Sequence, residues 1–392
     1  KMNGEVVAIG VLAAVWLAAY ALKRVLKLNL GEKVELGPLY LLLRSKSLND
    51  LWRKEVLDRE RVAGIVFNVG VLISSIAMVY GIYFLLDGAL RILSAPTVVE
   101  PTVALLIPGV TITGSLLLTA IPAFVLVLVT HEFSHKLASH LHNVKVKSVG
   151  VGLFLLLPLA FVEPDEEEFE KSGSKARLGV MAAGSYANIV LAILFLLALS
   201  VGYGSPEGVI VEELVEDGPL DLMTAVGEGD VIAGIGEPEM TVTEILTVNL
   251  KPLESVTVYY YDKESISGLA ELRTAVVTTA THPRNASRGI IGYIPSFQPF
   301  LGYVLYLPAR IPVFTIATST FLYQVQLWTV FIGLGVGIFN MLPVFPLDGF
   351  GFLNALMERV GVTGSRNKAV LYSLMAFSLG LLVLNLGAAY LR

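Results

Sequence analysis

The sequence His131-Glu132-Phe133-Ser134-His135 places two histidines four residues apart with a glutamate beside the first. On a helix, residues at that spacing share one face, a turn apart. Both imidazoles can then reach one metal ion, and zinc takes histidine nitrogen at about 2.0–2.1 Å. Glu132 lies beside that face, where a carboxylate can take a proton from metal-bound water and pass it to a leaving amine. Zinc lowers the pKa of such water to about 7, so hydroxide is available near neutrality. The motif closes an apolar run over residues 121–130. Ionisable groups inside a membrane are costly and mark function. Chance produces such a match on the order of once in a few hundred chains. Alone, the motif suggests metal-assisted hydrolysis without establishing it.

A catalytic zinc takes three protein ligands and a water. No third His or Glu follows on the same helix at useful spacing. His142 shares the face of His135 but would stand about 10 Å away if the helix continued. His140 and His142 are expected at the cytoplasmic interface, and His282 beside Pro283 in a surface loop. Asp348 is the candidate third ligand. It follows an apolar span carrying Gly333, Gly335 and Gly337, which permit close helix approach. Pro343 and Pro346 break that helix, and Gly349 lets backbone pack close. Capping of a helix over residues 350–359 is the plainer role for Asp348, and by itself the better one. Paired with the two histidines, ligation is preferred. Asn340 can hold a substrate carbonyl or an oxyanion, or serve as glue between helices. The same two roles are open to Asn188, which shares a helix face with Gly184.

The elements that must carry these residues are membrane helices. The chain has 392 residues, 55% hydrophobic and 16% charged, with a net charge of −5. Its mean hydropathy is +0.71. This composition is more apolar and less charged than that of soluble domains. No basic stripe calls for a nucleic-acid partner. There is no cysteine, so any metal must rest on His and carboxylates. Spans about 20 apolar residues long are expected at residues 6–22, 62–86, 178–203, 326–342 and 369–390. Another lies within 102–140, with Pro108 and Pro122 breaking or kinking it. The first is expected to be a retained helix, because Lys23, Arg24 and Lys27 follow it rather than precede it. Residues 23–61 form a polar segment with ten Lys and Arg. Residues 301–323 are apolar but hold Pro308, Arg310 and Pro312, and are expected to be re-entrant or interfacial. Basic loops stay in the cytoplasm. This places the amino terminus and the acidic, strand-rich stretch 204–297 outside, and the zinc site toward the cytoplasm.

The ordered set His131-Glu132-x-x-His135, Gly184-x-x-x-Asn188 and Asn340-x-x-Pro343 followed by Leu347-Asp348-Gly349 resembles the site-2 protease family of intramembrane metalloproteases. That resemblance covers residues 102–359. It implies Zn²⁺ on His131, His135 and Asp348, with Glu132 as general base. It also implies cleavage of transmembrane segments of membrane-bound substrate proteins. Ser185 stands where many bacterial members have proline, as in the branch resembling the animal enzyme, and residues 150–164 also look like that branch. There the family forms membrane-associated strands, which could hold an unwound substrate by strand addition. The acidic run from Asp165 to Glu168 is expected to be a solvated loop. The insert is similar to a PDZ domain of the protease-associated type. The matching residues are Gly208-Val209-Ile210-Val211, Asp217-Gly218-Pro219 and Glu228-Gly229-Asp230-Val231-Ile232. Such domains take extended peptides or chain ends; a passive spacer is the other role open to it.

The expected architecture is an α-helical polytopic membrane protein of about six spans plus a re-entrant piece, with an inserted mixed α/β PDZ-like domain. Its divisions are 1–100, 101–203, 204–297 and 298–392. The expected setting is the plasma membrane of a prokaryote. A metal-ion transporter would also put His and carboxylates on membrane helices, but such folds carry internal repeats and none is visible. A catalytically inactive scaffold would not need the complete set of ligands and base. A zinc protease acting on prenylated chains would supply Glu as third ligand.

Overall fold

The computed structural model describes residues 16–18, 20–23, 34–37, 40–45, 60–94, 103, 106, 112, 115–154, 157–238, 240–298 and 302–390. The chain forms two compact units, residues 1–194 with 328–392, and residues 195–327.

Among the described residues, five helices are long and apolar enough to cross a membrane. They are α1 (Glu60–Ser94), α2 (Ser115–Leu141), α4 (Ser174–Gly202), α6 (Ile316–Phe339) and α8 (Gly364–Tyr390). The span expected at 6–22 lies mostly outside the described residues, so the sixth crossing rests on sequence. Helix α1 runs past the expected end at residue 86. Arg91 Nε donates to Asp87 Oδ2 at 2.7 Å, an i,i+4 pair that supports the extra turns. Pro122 sits inside α2 without ending it; membrane helices tolerate the lost bond. Pro108 lies outside the described residues.

In the larger unit, a four-stranded antiparallel sheet runs in the order β1 (Val34–Leu36), β2 (Tyr40–Ser45), β3 (Val146–Phe154), β4 (Leu157–Pro164). Strands β1 and β2 come from the segment expected to be merely polar. They are pinned by Glu35, which accepts from Arg44 Nη1 at 2.6 Å and Tyr40 Oη at 2.7 Å. Among the described residues, strand β4 is a sheet edge. The acidic run is not a loop but opens α3 (Glu166–Lys171), with Asp165 Oδ1 accepting from Glu168 N at 3.0 Å. Helix α7 (Asp348–Arg359) closes the unit. Met78, Leu178, Ala182, Met341, Phe352 and Leu371 form its apolar core. Two polar tethers join its helices: Ser74 Oγ donates to Ala182 O at 3.2 Å, and Asn385 Nδ2 to Leu85 O at 2.9 Å. Arg177 at the start of α4 pairs with Glu358 at the end of α7.

The smaller unit is built on a six-stranded sheet. Its main path is β11 (Tyr293–Pro295), β5 (Gly208–Leu214), β6 (Val231–Ile235), β7 (Ser255–Tyr261), β8 (Arg273–Thr278), with β14 (Leu305–Tyr306) also paired to β5. Helix α5 (Val242–Thr247) is opened by a capping box between Thr241 and Glu244. Val209, Ile232, Val258, Val277 and Ile291 fill the core. The turn signal at 227–230 is confirmed: Asp230 Oδ2 accepts from Gly227 N at 2.7 Å, and Oδ1 accepts from Lys263 N at 2.9 Å. The re-entrant or interfacial piece expected at 301–323 is corrected over residues 302–306, which belong to sheets. Strand β13 (Gly302–Tyr303) pairs with β12 (Phe297–Gln298), and β14 joins β5. The helix that begins at Ile316 takes the remainder. Val304 and Tyr306 are buried in the unit's core, so their apolarity serves a sheet and not lipid.

Candidate metal centre

Helix α2 turns His131 and His135 to one side, as the four-residue spacing requires. Their rings meet edge to face at a centroid distance of 4.7 Å. Asp348 reaches them from the first turn of α7. Its Oδ2 stands 3.0 Å from His135 Nε2 and 3.3 Å from His131 Nε2, and the two Nε2 atoms are 3.1 Å apart. The plainer role for Asp348 therefore fails: Leu347 holds the N-cap position, with no side-chain cap bond, and the Asp348 carboxylate faces the rings.

Helix α4 supplies the other wall, through residues spaced by four. Val180 O lies 2.7 Å from His135 Nδ1 and accepts its proton. The Asn188 amide lies 3.0 Å from His131 Nδ1. Between them, Gly184 faces both rings. A Cβ there would stand 2.6 Å from His131 Nε2 and closer still to His135 Nε2, so only glycine leaves room for the donors. The turn before α7 is equally tight. Gly349 N donates to Asn340 O at 2.9 Å, and a Cβ at Gly349 would strike the Met341 carbonyl. That turn sets Asp348 and Asn340 side by side, with Asn340 Nδ2 donating to Asp348 Oδ2 at 2.7 Å and lying 3.1 Å from His131 Nε2.

The donor set fits a tetrahedral ion. Bonds of about 2.0–2.1 Å imply edges of roughly 3.3 Å, close to the three distances above. Since His135 Nδ1 carries the proton given to Val180, its Nε2 presents a lone pair. Asn188 is fully buried, and its Oδ1 has no partner when Nδ2 faces the ring. With the amide turned, Oδ1 accepts the Nδ1 proton of His131. Two nitrogen lone pairs and a carboxylate oxygen then converge, an arrangement that favours a cation.

The cluster opens on a cavity of about 410 Å³. Glu132, Asn340, Phe161, Val162 and Val336 are among its lining residues. Glu132 Oε2 accepts from Val162 N of β4 at 2.9 Å. Asn188 does not line the cavity; it touches the far side of the His131 ring. His140 ends α2, His142 lines a separate apolar cavity of about 170 Å³, and His282 lies in β9 (Ala280–His282). Sequence reasoning missed Val162 and Val180, which act through backbone atoms that no side-chain pattern reports.

A model of peptidase family M50 matches residues 119–383, which contain every residue of the cluster. The chain belongs to peptidase family M50. This is the site-2 protease family, and its members are membrane metallopeptidases. An uncharacterized protein of Methanocaldococcus jannaschii is similar to this M50 chain, 24% identical over 364 residues. The likeness covers 91% of this chain and 87% of that protein, beyond the stretch matched to the M50 family.

Proposed function

We propose that this chain is a zinc endopeptidase that hydrolyses peptide bonds within transmembrane segments of membrane-bound proteins. The observation that carries the reading is the convergence of His131, His135 and Asp348, whose donor atoms all lie within 4.8 Å of one another. They come from helices more than two hundred residues apart in sequence.

His131, His135 and Asp348 would hold the ion. Zinc, when bound, polarises the scissile carbonyl and acidifies a water. Glu132 takes the proton of that water and later delivers it to the leaving amine. The Val162 amide fixes one oxygen of Glu132 and leaves the other for this work. Asn340 offers its amide protons to the carbonyl oxygen as charge builds there. Asn188 acts through His131, holding its Nδ1 proton so that Nε2 stays a donor, rather than touching substrate.

A helical substrate hides its carbonyls in hydrogen bonds and must unwind. Edge strand β4 offers replacement partners. Because Val162 N points to Glu132, residues 158, 160, 162 and 164 turn their backbone groups away from β3. Pro158 and Pro164 have no N–H and Val162 N is held by Glu132, so Ala160 is the outward donor left for substrate. An extended segment can therefore pair only in a short window beside the base. The basic residues Lys136, Lys145, Lys147, Lys171, Lys175 and Arg177 support a cytoplasmic site, and the same charge rule makes the insert at residues 204–297 extracytoplasmic in a prokaryotic plasma membrane. The PDZ-like reading of that unit makes a peptide or chain end its ligand.

Zinc analysis of the purified protein tests the centre. About one zinc per chain is expected, lost in His131→Ala and in Asp348→Ala. Glu132→Gln should keep zinc and lose cleavage of a transmembrane substrate. Full zinc in Asp348→Ala, or turnover by Glu132→Gln, would refute the assignment.

A further inference from the structure

The smaller unit exposes four consecutive apolar residues, Ile311, Pro312, Val313 and Phe314, with Ile311 at 70% and Val313 at 62%. Such a run on a water-facing surface is a fault unless something covers it. A second segment joins it. The loop between β7 and β8 is laced to this stretch: Ser267 N donates to Phe314 O at 2.9 Å, Ser267 Oγ accepts from Ala309 N at 3.0 Å, and Ile266 forms a β-bridge with Thr315. Ser267 is fully buried, and the same loop turns out Leu269 at 68% and Ile266 at 39%. Two stretches distant in sequence thus make one apolar face.

The chain itself indicates what covers the face. Phe314 lies two residues before Ile316, where α6 begins. At 24 residues, α6 measures about 36 Å, against roughly 30 Å of hydrocarbon. Its first turn therefore lies at the hydrocarbon boundary. Arg310 stands at the same level. Its N donates to Gly202 O, the last residue of α4, at 2.9 Å, and its Nε donates to Tyr203 O at 3.1 Å. Tyr203 packs edge to face on Tyr323 at 5.1 Å. A tyrosine and an arginine flanking helix ends, as Tyr203 and Arg310 do, are the residues of a membrane–water interface.

We propose that Ile266, Leu269, Ile311, Val313 and Phe314 form a membrane anchor. They sit at the boundary of headgroups and acyl chains in the leaflet where α6 begins, and they hold the smaller unit against the bilayer through its β7–β8 loop. The occupant is lipid, because the face continues directly into a membrane helix. Leu269 is the discriminating residue, since no neighbour in sequence obliges it to be near the membrane.

The chain has no cysteine, so single labels can be introduced without removing any. Leu269→Cys and Val313→Cys are compared with Leu253→Cys, a position 78% exposed in the turn before β7. Each variant, full length and in phosphatidylcholine–phosphatidylglycerol nanodiscs, carries an environment-sensitive fluorophore. Nitroxide on the lipid should quench the probes at 269 and 313 far more than the probe at 253. Dissolved iodide should do the reverse. Iodide quenching at 269 equal to that at 253 would place the loop in water and overturn the anchor. Shielding of 269 from both quenchers would mean that a second copy or another protein covers the face, and would overturn it equally. Quenching by lipid at 313 alone would reduce the face to the entry of α6 and end the proposal.

Discussion

Replacing Asn188 by leucine keeps the branched side-chain shape in a fully buried site and removes the acceptor of the His131 Nδ1 proton. The ring then loses its only described partner at that nitrogen. It gains the freedom to put the proton on Nε2, where it blocks the lone pair that faces Asp348. A buried donor left unpaired costs about 1–3 kcal/mol, and partners of this kind are worth about 10–100-fold in metal affinity. The two figures agree, at about 1.4 kcal/mol per tenfold. Asn188→Leu should thus bind zinc about 10–100-fold more weakly. Asn188→Asp provides a stronger acceptor against the same proton and should hold zinc as tightly as the parent. The assay is competition with a chelator of known affinity at fixed pH, read on purified protein without substrate. Leucine leaving affinity unchanged, or aspartate weakening it as much as leucine, would refute the reasoning.

Gly184→Ala should reduce zinc affinity by about 100-fold or more, because its Cβ would stand 2.6 Å from His131 Nε2. Alanine's helix propensity, about 1 kcal/mol better than glycine's, should keep metal-free stability near that of the parent, read by thermal unfolding. Ala160→Pro removes an outward donor of edge strand β4, where proline is tolerated. It should slow cleavage of a transmembrane substrate by about fivefold, the worth of one hydrogen bond of about 1 kcal/mol, with zinc content unchanged. Asp230→Ala strips Gly227 N and Lys263 N of their acceptor and should destabilise the smaller unit by about 2–3 kcal/mol, seen as a lower unfolding midpoint for that unit.

The chemistry of this chain was more legible than its scaffold. His131 and His135 announce a shared face because helical period is local, and Asp348 became readable once the histidines asked for a partner. Gly184 was visible as a neighbour of Asn188, but only the crossing of α2 and α4 reveals that it clears space for two rings. Val162 and Val180 contribute backbone atoms, which any residue carries. Strands β1 and β2 escaped notice because they are three and six residues long, and β2 exists by pairing with β3 a hundred residues later. Residues 302–306 misled because hydropathy does not separate a side chain bound for lipid from one bound for a sheet core. Val304 and Tyr306 belong to the second kind, and Ile316 opens the first.

The order in which the ribosome makes the parts has its own effect. His131 and His135 emerge early, Asp348 late, and the whole of the smaller unit comes between. A half-made chain entering the bilayer carries two imidazoles and no carboxylate to complete the chelate. Hydrolytic power arrives only with α7, when nearly all of the described helices have already been threaded.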